Sequence, residues 1–457
     1  MSSFPKQLLQ SPSGFPDLGP GAAIAQRRIL DVIRTQYERA GFVPIETPLV
    51  ERPAVLLAKT EGEMSTQVYG LRLMNPAPDA QDDSKDLALR FDQTVPLARF
   101  VAANQHEIDF PFRRYVIGPV FRGERAKDGR YRQFTQADID VIGDGKLELL
   151  HDAEIVSIIS AIFTELDFGS FTVRINNRKI LQGLLVDMGV TTEKISEAIA
   201  VVDRIEKVGR SVIVSDLGQL GVSDAKAVDF INMLTSKMST DETLAALAAR
   251  VPTCSADIFG EGVSELERVI AGVRSLGVDE NRFRIDLSIA RGLDYYTGTV
   301  YETQFDAYPD LGSIASGGRY ENLAGTFTNR NLPGVGISIG VTRLLLRLIK
   351  AGLVDATIKT IAPVLVTTAL GLEENASTYL DYARRLRESG IATEVYMASK
   401  PLGKQLQFAD RRRFKLAVIA FEDEIASGNV ILRDMKTGEQ EVVKLTDLVQ
   451  KVQRAIA

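Results

Sequence analysis

Residues 121–140 decide the fold, and they read Phe121-Arg-Gly-Glu-Arg-Ala-Lys-Asp-Gly-Arg-Tyr-Arg-Gln-Phe-Thr-Gln-Ala-Asp-Ile-Asp140. An apolar run at residues 115–120 precedes this stretch, and Val141 and Ile142 follow it. Two strand-like runs joined by a polar loop that contains Gly129 predict a long antiparallel hairpin.

The second arm of this hairpin alternates between polar and apolar residues. Successive side chains of a strand point to opposite faces of its sheet. One face therefore carries polar groups and the other aliphatic groups: Gln136, Asp138 and Asp140 against Ala137, Ile139 and Val141. We expect an amide and two carboxylates to project together above the sheet.

Arginines and an aromatic residue accompany the hairpin: Arg122, Arg125, Arg130, Arg132 and Phe134. The planar fork of a guanidinium group donates two hydrogen bonds at once, which suits phosphate oxygens, and a flat aromatic ring can stack on a base. The alternative is a charged surface hairpin whose side chains are simply solvated. The hairpin alone leaves both interpretations open.

The composition narrows the class of protein. A chain of 457 residues is long enough for about two to four domains, and 45% hydrophobic and 25% charged residues are typical of a soluble globular protein. We expect no membrane span and no signal peptide. The single cysteine, Cys254, excludes an intrachain disulfide and a cysteine-rich metal site, and it favours the reducing cytosol. The net charge of −6 means that local patches would have to hold any nucleic acid. With two histidines, His106 and His151, a histidine-based mechanism is not expected.

The order of the predicted elements indicates an α+β fold with a separate C-terminal unit. Residues 22–40 have helical spacing, residues 171–177 read as a strand, and residues 178–275 read as a series of helices inserted before strands return at 283–289. Residues 361–457 alternate strands and helices, which predicts an α/β domain with a largely parallel sheet.

Two further stretches place polar groups where a ligand could bind. Residues 87–94 alternate and predict a strand, and a helix is predicted to start at 95–102. Asp92 and Thr94 lie where this strand becomes the helix, so they either grip a small ligand or cap that helix. The string at 290–302 contains Arg291, Tyr295 and Tyr296. Phenols beside an arginine suggest a polar pocket, because buried hydroxyl groups need hydrogen-bond partners. The alternative is a tyrosine-rich hairpin that packs on the core.

Two glycine-rich stretches complete the set of candidates. Ser316-Gly-Gly-Arg-Tyr-Glu321 places Arg319 and Tyr320 after a turn at which the backbone can approach a ligand. Residues 334–346 run from a small-residue strand into a helix that carries Arg343 in an early turn, which favours an anion.

Taken together, these motifs resemble the class II aminoacyl-tRNA synthetases, and specifically the histidyl-tRNA synthetase family. The string Arg-Gly-Leu-Asp-Tyr-Tyr at 291–296 resembles a signature of that family, 121–134 resembles its motif 2, and 334–343 resembles its motif 3. Residues 22–53 occupy the place of motif 1, the dimer-forming element. The resemblance implies a class II antiparallel sheet flanked by helices at 1–177 and 276–350, a helical insertion at 178–275, and an α/β anticodon-binding domain at 361–457.

The resemblance also implies roles for individual residues. Catalysis would depend on Arg291 and Arg122. ATP would be bound by Arg122, Glu124, Arg130, Phe134 and Arg343. L-Histidine would be bound by Asp92, Gln93, Thr94, Gln136, Asp140, Arg291, Tyr295, Tyr296 and Tyr320. The further implications are tRNA(His) as the second substrate, a homodimer, a cytoplasmic location, and Mg²⁺ that arrives with ATP rather than in a cage of protein ligands.

Activation of an amino acid fits these residues independently of the resemblance. The carboxylate nucleophile is already an anion, so the step needs positioning and cations rather than a general base.

A competing hypothesis is that the chain is a regulatory paralogue of this family, which acts as a subunit of ATP phosphoribosyltransferase. Such paralogues generally lack the anticodon domain and lose the arginines that this chain keeps.

The motif 2 loop, Arg125-Ala-Lys-Asp128, departs from the common bacterial form. This departure leaves open how the chain recognises the acceptor end of its tRNA. The leader, Gly14-Phe-Pro-Asp17, lacks the family's usual arginine.

Overall fold

A computed structural model of the chain describes residues 6–58, 62–75, 87–126, 129–205, 208–290, 296–322, 324–373 and 375–456. The chain divides into two compact units. The first comprises residues 1–16 and 29–347, and the second comprises residues 17–28 and 348–457. None of the helices in these described ranges combines the length and the apolar content that crossing a bilayer requires.

The strands, numbered in chain order, are β1 Val43–Pro44, β2 Val50–Glu51, β3 Ala88–Leu89, β4 Phe112–Phe121, β5 Gln133–Ile142, β6 Phe171–Asn177, β7 Phe283–Ile285, β8 Thr299–Phe305, β9 Ala315–Tyr320, β10 Gly334–Gly340, β11 Val364–Val366, β12 Thr393–Val395, β13 Leu416–Ile419, β14 Asn429–Asp434 and β15 Gln440–Lys444. The helices are α1 Pro20–Arg39, α2 Pro53–Leu56, α3 Thr94–Asn104, α4 Leu150–Leu166, α5 Arg178–Asp187, α6 Ile195–Val202, α7 Arg210–Gln219, α8 Asp224–Leu234, α9 Thr240–Arg250, α10 Asp257–Ser275, α11 Val341–Lys350, α12 Ala376–Glu388, α13 Leu402–Arg412, α14 Glu422–Ser427 and α15 Leu448–Ile456.

The first unit is built on an eight-stranded sheet in the order β1-β4-β5-β10-β9-β8-β6-β7. The predicted hairpin is confirmed: β4 and β5 pair antiparallel over ten residues each, from Phe112 opposite Ile142 to Phe121 opposite Gln133. Strand β10 pairs antiparallel with the other side of β5. The short edge strands β1 and β7 pair parallel to their neighbours.

The two faces of this sheet differ as the alternation in β5 predicts. Ala137, Ile139 and Val141 are fully buried on one face. Helix α4 covers that face, where the Tyr301 hydroxyl donates a hydrogen bond to the Asp152 carbonyl oxygen at 2.9 Å. Full burial of an aliphatic side chain contributes about 1.5–3 kcal/mol, so this face fixes the register of β5 and leaves the other face for polar groups.

A second, two-stranded sheet forms where the sequence predicts a longer strand. Only Ala88 and Leu89 of the 87–94 stretch pair, with β2. The next residue, Arg90, still donates its backbone N–H to the Leu49 carbonyl oxygen at 2.9 Å, and its guanidinium donates hydrogen bonds to the carbonyl oxygens of Pro119 and Thr47 at 2.9 and 3.0 Å. Helix α3 begins soon afterwards and leads the chain back over the large sheet.

The predicted helices between residues 178 and 275 are confirmed, since α5 to α10 all lie there. Helices α5 and α10 approach closely at glycines. A Cβ placed on Gly183 would lie 2.5 Å from the Cβ of Phe259, and one on Gly262 would lie 2.8 Å from the backbone nitrogen of Ile180. A larger residue at either position would therefore push the two helices apart.

The second unit contains a five-stranded sheet in the order β12-β11-β13-β14-β15. Strands β12, β11 and β13 are parallel, whereas β13-β14 and β14-β15 are antiparallel. The predicted alternation of strands and helices is confirmed, with a parallel part of three strands. Fully buried Tyr379 and Leu386 of α12 pack on Val364 and Val418 of the sheet in one apolar core.

Candidate active site

The polar face of the large sheet is the floor of the candidate site. Directly opposite residues of antiparallel strands project to the same side, so the register aligns side chains across neighbouring strands. One row runs across five strands: Val116, Asp138, Ser338, Ser316 and Glu302. The next row runs in the same direction: Arg114, Asp140, Gly336, Gly318 and Val300. Asp140 therefore lies between Arg114 on β4 and Gly336 on β10, and Asp138 lies between Val116 and Ser338.

Glycines in these rows leave room for larger neighbours. A Cβ on Gly336 would lie 2.2 Å from Oδ1 of Asp140, and one on Gly318 would lie 2.9 Å from the ring of Tyr296. A Cβ on Gly334 would lie 2.4 Å from the ring of Tyr320. The glycines thus allow two phenol rings and a carboxylate to sit directly on the sheet.

Asp140 and Asp138 form the buried acidic centre of this floor, and each is 4% exposed. Asp140 makes an ion pair with Arg114, which is completely buried. The Tyr320 hydroxyl donates a hydrogen bond to Oδ1 of Asp140 at 2.9 Å. Burial raises the pKa of Asp140, opposed by the charge of Arg114 and the hydrogen bond from Tyr320.

Asp138 lies in the same environment, and among the residues that the structure describes it makes no ion pair of its own. Burial raises its pKa to about 7, although Arg114 and a hydrogen bond with Ser338 act in the opposite direction. Its Oδ1 atom is buried and accepts no hydrogen bond from the residues that the structure describes. A carboxyl group in this state is able to hold a proton or accept a hydrogen bond from a ligand near neutral pH.

The predicted residues at the start of α3 reach the same floor. The Gln93 amide donates hydrogen bonds to the carbonyl oxygens of Gly118 and Gln136, both at 3.1 Å, so its side chain ties the strands together. Asp92 caps the helix, because its Oδ1 accepts a hydrogen bond from the Val95 N–H at 3.1 Å. Burial raises the pKa of Asp92, opposed by this bond and by the charge of Arg122. Thr94 is the half-buried first residue of the helix.

A cavity of about 390 Å³ adjoins the floor. Its lining comprises Gln67, Arg122, Glu124, Gly129, Arg130, Tyr131, Phe134, Gln136, Leu311, Ser313, Ile314, Ala315, Ser316, Ser338, Gly340, Arg343, Leu344 and Arg347. This volume lies in the range of small-molecule sites. Gln136 connects the cavity to the acidic centre, since its amide donates a hydrogen bond to the Ser338 hydroxyl at 2.7 Å. All five residues predicted to bind ATP are among these lining residues.

The hairpin positions the cationic wall of the cavity. Arg122 follows β4 directly, and its Nε donates a hydrogen bond to the Phe91 carbonyl oxygen at 3.0 Å. Its guanidinium carbon lies 5.2 Å from the centre of the Phe134 ring. Burial lowers the pKa of Arg122, and the nearby charge of Asp92 opposes this change. Arg130 is exposed at the rim, where its Nη1 lies 3.5 Å from Oε2 of Glu124.

Tyr296 belongs to the acidic centre rather than to the cavity wall. Burial raises its pKa well above the ordinary value, and the charges of Asp140, Asp138 and Asp92 act in the same direction. The Tyr296 ring lies over Gly318, which shares a row of the sheet with Asp140. Arg291 and Tyr295, the other predicted residues of that string, lie outside the residues that the structure describes, as do Lys127 and Asp128 of the motif 2 loop.

Some arginines near the motifs face away from the site. Arg319 points to the opposite face of the sheet and makes a buried ion pair with Asp152 of α4. Its guanidinium also donates hydrogen bonds to the carbonyl oxygens of Leu147 and Glu148 at 3.1 and 3.2 Å. Arg132 donates hydrogen bonds to the Glu124 and Ser13 carbonyl oxygens, at 3.1 and 3.3 Å. Both residues therefore stabilise the fold.

The site roles that the resemblance implies do not include four residues that the structure places in or beside the site: Arg114, Asp138, Ser338 and Arg347. Asp138 had a visible signal, because it shares the polar face of β5 with Gln136 and Asp140. Arg347 had one as well, since it follows Arg343 by four residues on a helix. Arg114 and Ser338 are recognised only through the strand register.

A basic cluster occurs in the second unit, and from the sequence it is either a solvated face or, as the resemblance implies, an RNA contact: Lys404, Arg411, Arg412, Arg413 and Lys415. Within the unit, Nη1 of Arg412 donates hydrogen bonds to both carboxylate oxygens of Glu394, at 2.8 and 2.9 Å. The Lys415 ammonium donates a hydrogen bond to the Ile456 carbonyl oxygen at 2.8 Å. These two charges are therefore partly used within the protein, and the RNA contact stays a prediction.

The arrangement suits a particular kind of ligand pair. A cavity with several arginines beside an aromatic ring fits an anionic nucleotide. The neighbouring acidic centre, with its buried carboxyl groups and phenols, offers hydrogen-bond acceptors for a small molecule that carries cationic or hydrogen-donating groups. The two regions share Gln136 and Ser338, so ligands in them would meet end to end.

Comparison with known proteins identifies relatives over nearly the whole chain. Residues 14–344 match the family model described as histidyl-tRNA synthetase, and residues 363–455 match the model of an anticodon binding domain. The histidine–tRNA ligase of Nostoc punctiforme is 45% identical over 98% of this chain and 98% of that protein. The corresponding protein of Xanthomonas campestris is 45% identical over 97% of this chain and 96% of that protein.

Solved structures give the same relationship. The crystal structure of histidyl-tRNA synthetase from a Nostoc species has a TM-score of 0.89 and 42% identity, and the match covers 97% of this chain and 99% of that chain. A Bacillus halodurans structure described as an ATP phosphoribosyltransferase regulatory subunit/histidyl-tRNA synthetase has a TM-score of 0.70 and 20% identity over 88% of this chain and 96% of that chain. The second match shows a likeness of fold.

Proposed function

The chain belongs to the histidyl-tRNA synthetase family of class II synthetases, and we propose how its residues divide the work of that activity. The chain activates L-histidine with ATP to form histidyl-adenylate. It then transfers the histidyl group to the 3′ end of tRNA(His), with release of AMP and pyrophosphate. The observation that supports this division is the cavity with four arginines in its lining, next to a floor of buried carboxylates.

The first step needs no proton acceptor. The histidine carboxylate attacks the α-phosphorus of ATP, a P–O bond to pyrophosphate breaks, and pyrophosphate leaves with the electron pair. Negative charge accumulates on phosphate oxygens during this exchange, so fixed cations stabilise the transition state more than the ground state. This requirement agrees with a site whose cations are guanidinium groups held by the fold.

We assign the cavity to ATP. Arg122 would contact the α-phosphate, because it lies nearest the floor on which the amino acid would sit. Phe134 would stack on the adenine, and Glu124 would accept hydrogen bonds from the adenine amino group. Arg130 and Arg343 would contact the outer phosphates and the adenine face. The half-buried ring of Phe134 beneath Arg122 supports this stacking arrangement.

We assign the acidic centre to L-histidine. The cationic α-amino group and the imidazole N–H groups are donors, and Asp140, Asp92 and Gln136 offer acceptors. Tyr296 and Tyr320 would line the imidazole pocket. Gln93 and Thr94 would line the end of that pocket next to α3. The hydrogen bond from Tyr320 to Asp140 supports this, because it fixes the orientation of the carboxylate. Arg291 and Tyr295 keep the roles that the resemblance implies, the first on the carboxylate and the α-phosphate.

The second step and the assembly are also proposals. A ribose hydroxyl at the end of tRNA would attack the activated carbonyl, with the adenylate phosphate oxygen as proton acceptor. The 361–457 region would contact tRNA, and the region around α1 and β1 would form a homodimer. Mg²⁺ would enter with ATP as part of that substrate. The single cysteine supports work in the cytoplasm.

The regulatory-paralogue hypothesis has less support. We expect such a protein to lack an anticodon-binding domain and the arginines of the nucleotide site. Residues 363–455 match the anticodon-binding model, and Arg122 and Arg343 line the cavity.

The deciding experiment is pyrophosphate exchange into ATP, with each of the twenty amino acids in turn. The proposal predicts exchange with L-histidine and none above background with the others. An absence of exchange with every amino acid would favour the regulatory hypothesis. Exchange with a different amino acid would contradict the assignment of the acidic centre.

A further inference from the structure

Arg347 is a cation of the nucleotide cavity that no part of the family resemblance assigns. It lies on α11 four residues after Arg343, so both side chains project from the same side of the helix. Both residues are in the lining of the cavity. Four residues of α-helix correspond to about 6 Å along the axis, so Arg347 lies one turn farther from the sheet than Arg343.

Two glycines make room for this guanidinium group. Gly129, in the loop of the hairpin, has φ +76°, and a Cβ placed there would lie 2.4 Å from Nε of Arg347. A Cβ on Gly312, which has φ +61°, would lie 3.5 Å from Nη2 of Arg343 and 3.9 Å from Nη1 of Arg347. The two guanidinium groups therefore converge on one backbone segment from neighbouring turns.

Among the described residues that line the cavity, carboxylates do not balance the charge around Arg347. Its Nη1 atom is buried, and it donates no hydrogen bond to the residues that the structure describes. The charged residues in the cavity lining are Arg122, Glu124, Arg130, Arg343 and Arg347, four cations against one anion. Buried donors without partners are costly, so this arrangement calls for an anionic ligand with several acceptor oxygens.

We propose that Arg347 binds the outer phosphates of ATP, together with Arg343, and so orients pyrophosphate as the leaving group. The inference rests on the assignment of the cavity to ATP. Two features favour the outer phosphates over the adenosine part. Arg347 lies away from the floor, where the α-phosphate would meet the amino acid. The triphosphate also carries the charge that the excess of cations requires.

The experiment compares nucleotides as well as variants. Arg347→Met removes the charge and keeps much of the side-chain length, Arg347→Lys keeps the charge without the fork, and Arg268→Met is the matched control at an exposed arginine of α10. Dissociation constants for ATP and for AMP, both with Mg²⁺, are measured by calorimetry on the full-length protein. Loss of a charged hydrogen bond corresponds to about a 10- to 100-fold loss of affinity.

We expect Arg347→Met to weaken ATP binding by about that factor and to change AMP binding by less than about twofold. Arg347→Lys should lie between the wild type and Arg347→Met, and Arg268→Met should match the wild type for both nucleotides. In pyrophosphate exchange, the KM for ATP should rise while the KM for L-histidine stays constant. Thermal unfolding of the variants should match the wild type, because Nη1 of Arg347 donates no hydrogen bond within the described part of the chain.

Unchanged ATP affinity in Arg347→Met would overturn the inference. Equal losses for ATP and AMP would also overturn it, because Arg347 would then contact the adenosine or the α-phosphate. The proposed function fails differently. If Arg347→Met weakens the binding of ATP but not of AMP, and the wild type shows no pyrophosphate exchange with L-histidine, this inference stands. The assignment of the acidic centre to histidine is then refuted.

Discussion

Replacing Asp138 by asparagine tests whether the floor of the site holds a carboxyl group that is neutral near pH 7. Asparagine has nearly the same shape but no titratable group. Burial raises the pKa of Asp138 from 3.8 to about 7. The folded protein therefore binds this proton more tightly than the unfolded chain does, and stability depends on pH between these two values.

The sign and size of the effect follow from the two pKa values. Below about pH 4 the group is protonated in both states, and its contribution to folding is fully present. As the pH rises toward 7, the unfolded chain loses the proton first, so the wild type loses stability, and no further loss occurs above about pH 7. Each pH unit in this window corresponds to about 1.4 kcal/mol, so the loss between pH 5 and pH 8 is about 3 kcal/mol.

The assay is urea unfolding followed by circular dichroism at pH 5, 6, 7 and 8, with Asp138→Asn and the wild type compared at each pH. The stability of the variant relative to the wild type should rise by about 3 kcal/mol from pH 5 to pH 8. Asp109→Asn, at an exposed position, should show no such trend. A constant difference between Asp138→Asn and the wild type would refute the argument that burial keeps this carboxyl protonated.

Three further predictions concern the site and the fold. Arg122→Met should lower the rate of pyrophosphate exchange by about two to three decades, because loss of one positioned donor costs about 3 kcal/mol of barrier, and an unchanged rate would remove Arg122 from the α-phosphate. Tyr320→Phe removes the hydrogen bond to Asp140 and should raise the KM for histidine about tenfold with the KM for ATP constant, whereas equal changes in both would point to a general distortion. Arg319→Met breaks the buried ion pair with Asp152 and should lower the unfolding free energy by about 3–5 kcal/mol. Normal stability together with a loss of histidine binding would mean that Arg319 faces the site after all.

The hairpin was predictable because its alternation is local. Gln136, Asp138 and Asp140 recur at every second residue, and burial of the intervening aliphatic residues fixes which face they occupy. The position of Arg343 in an early helical turn was predictable for a similar reason. In each case a short window contains the whole signal.

Other parts of the site depend on contacts between distant segments. Arg113 and Arg114 are neighbours in sequence, yet Arg113 pairs with Glu154 of α4 and Arg114 lies in the floor opposite Asp140. A shift of one residue in register would exchange their roles. The same parity separates Tyr320, which faces the site, from Arg319, which does not. Composition and spacing do not tell which member of such a pair faces the site, and only the strand register distinguishes them.

The expected strand at 87–94 illustrates a third limit. Its alternating residues favour extended backbone, but Arg90 turns into hydrogen bonds with the Pro119 and Thr47 carbonyl oxygens. These partners come from other parts of the chain, so the local alternation at 87–94 does not reveal them, and it overestimates the length of the strand.

The central claim is that guanidinium groups from distant parts of the chain meet on one nucleotide, beside an acidic pocket that holds histidine. The most direct measurement is a crystal structure with a non-hydrolysable analogue of histidyl-adenylate. The account predicts Arg122 and Arg343 in hydrogen-bond contact with the same ligand, and its imidazole among Asp140, Tyr296 and Tyr320. A ligand bound away from this floor, or one that leaves either Arg122 or Arg343 without contact, would contradict it.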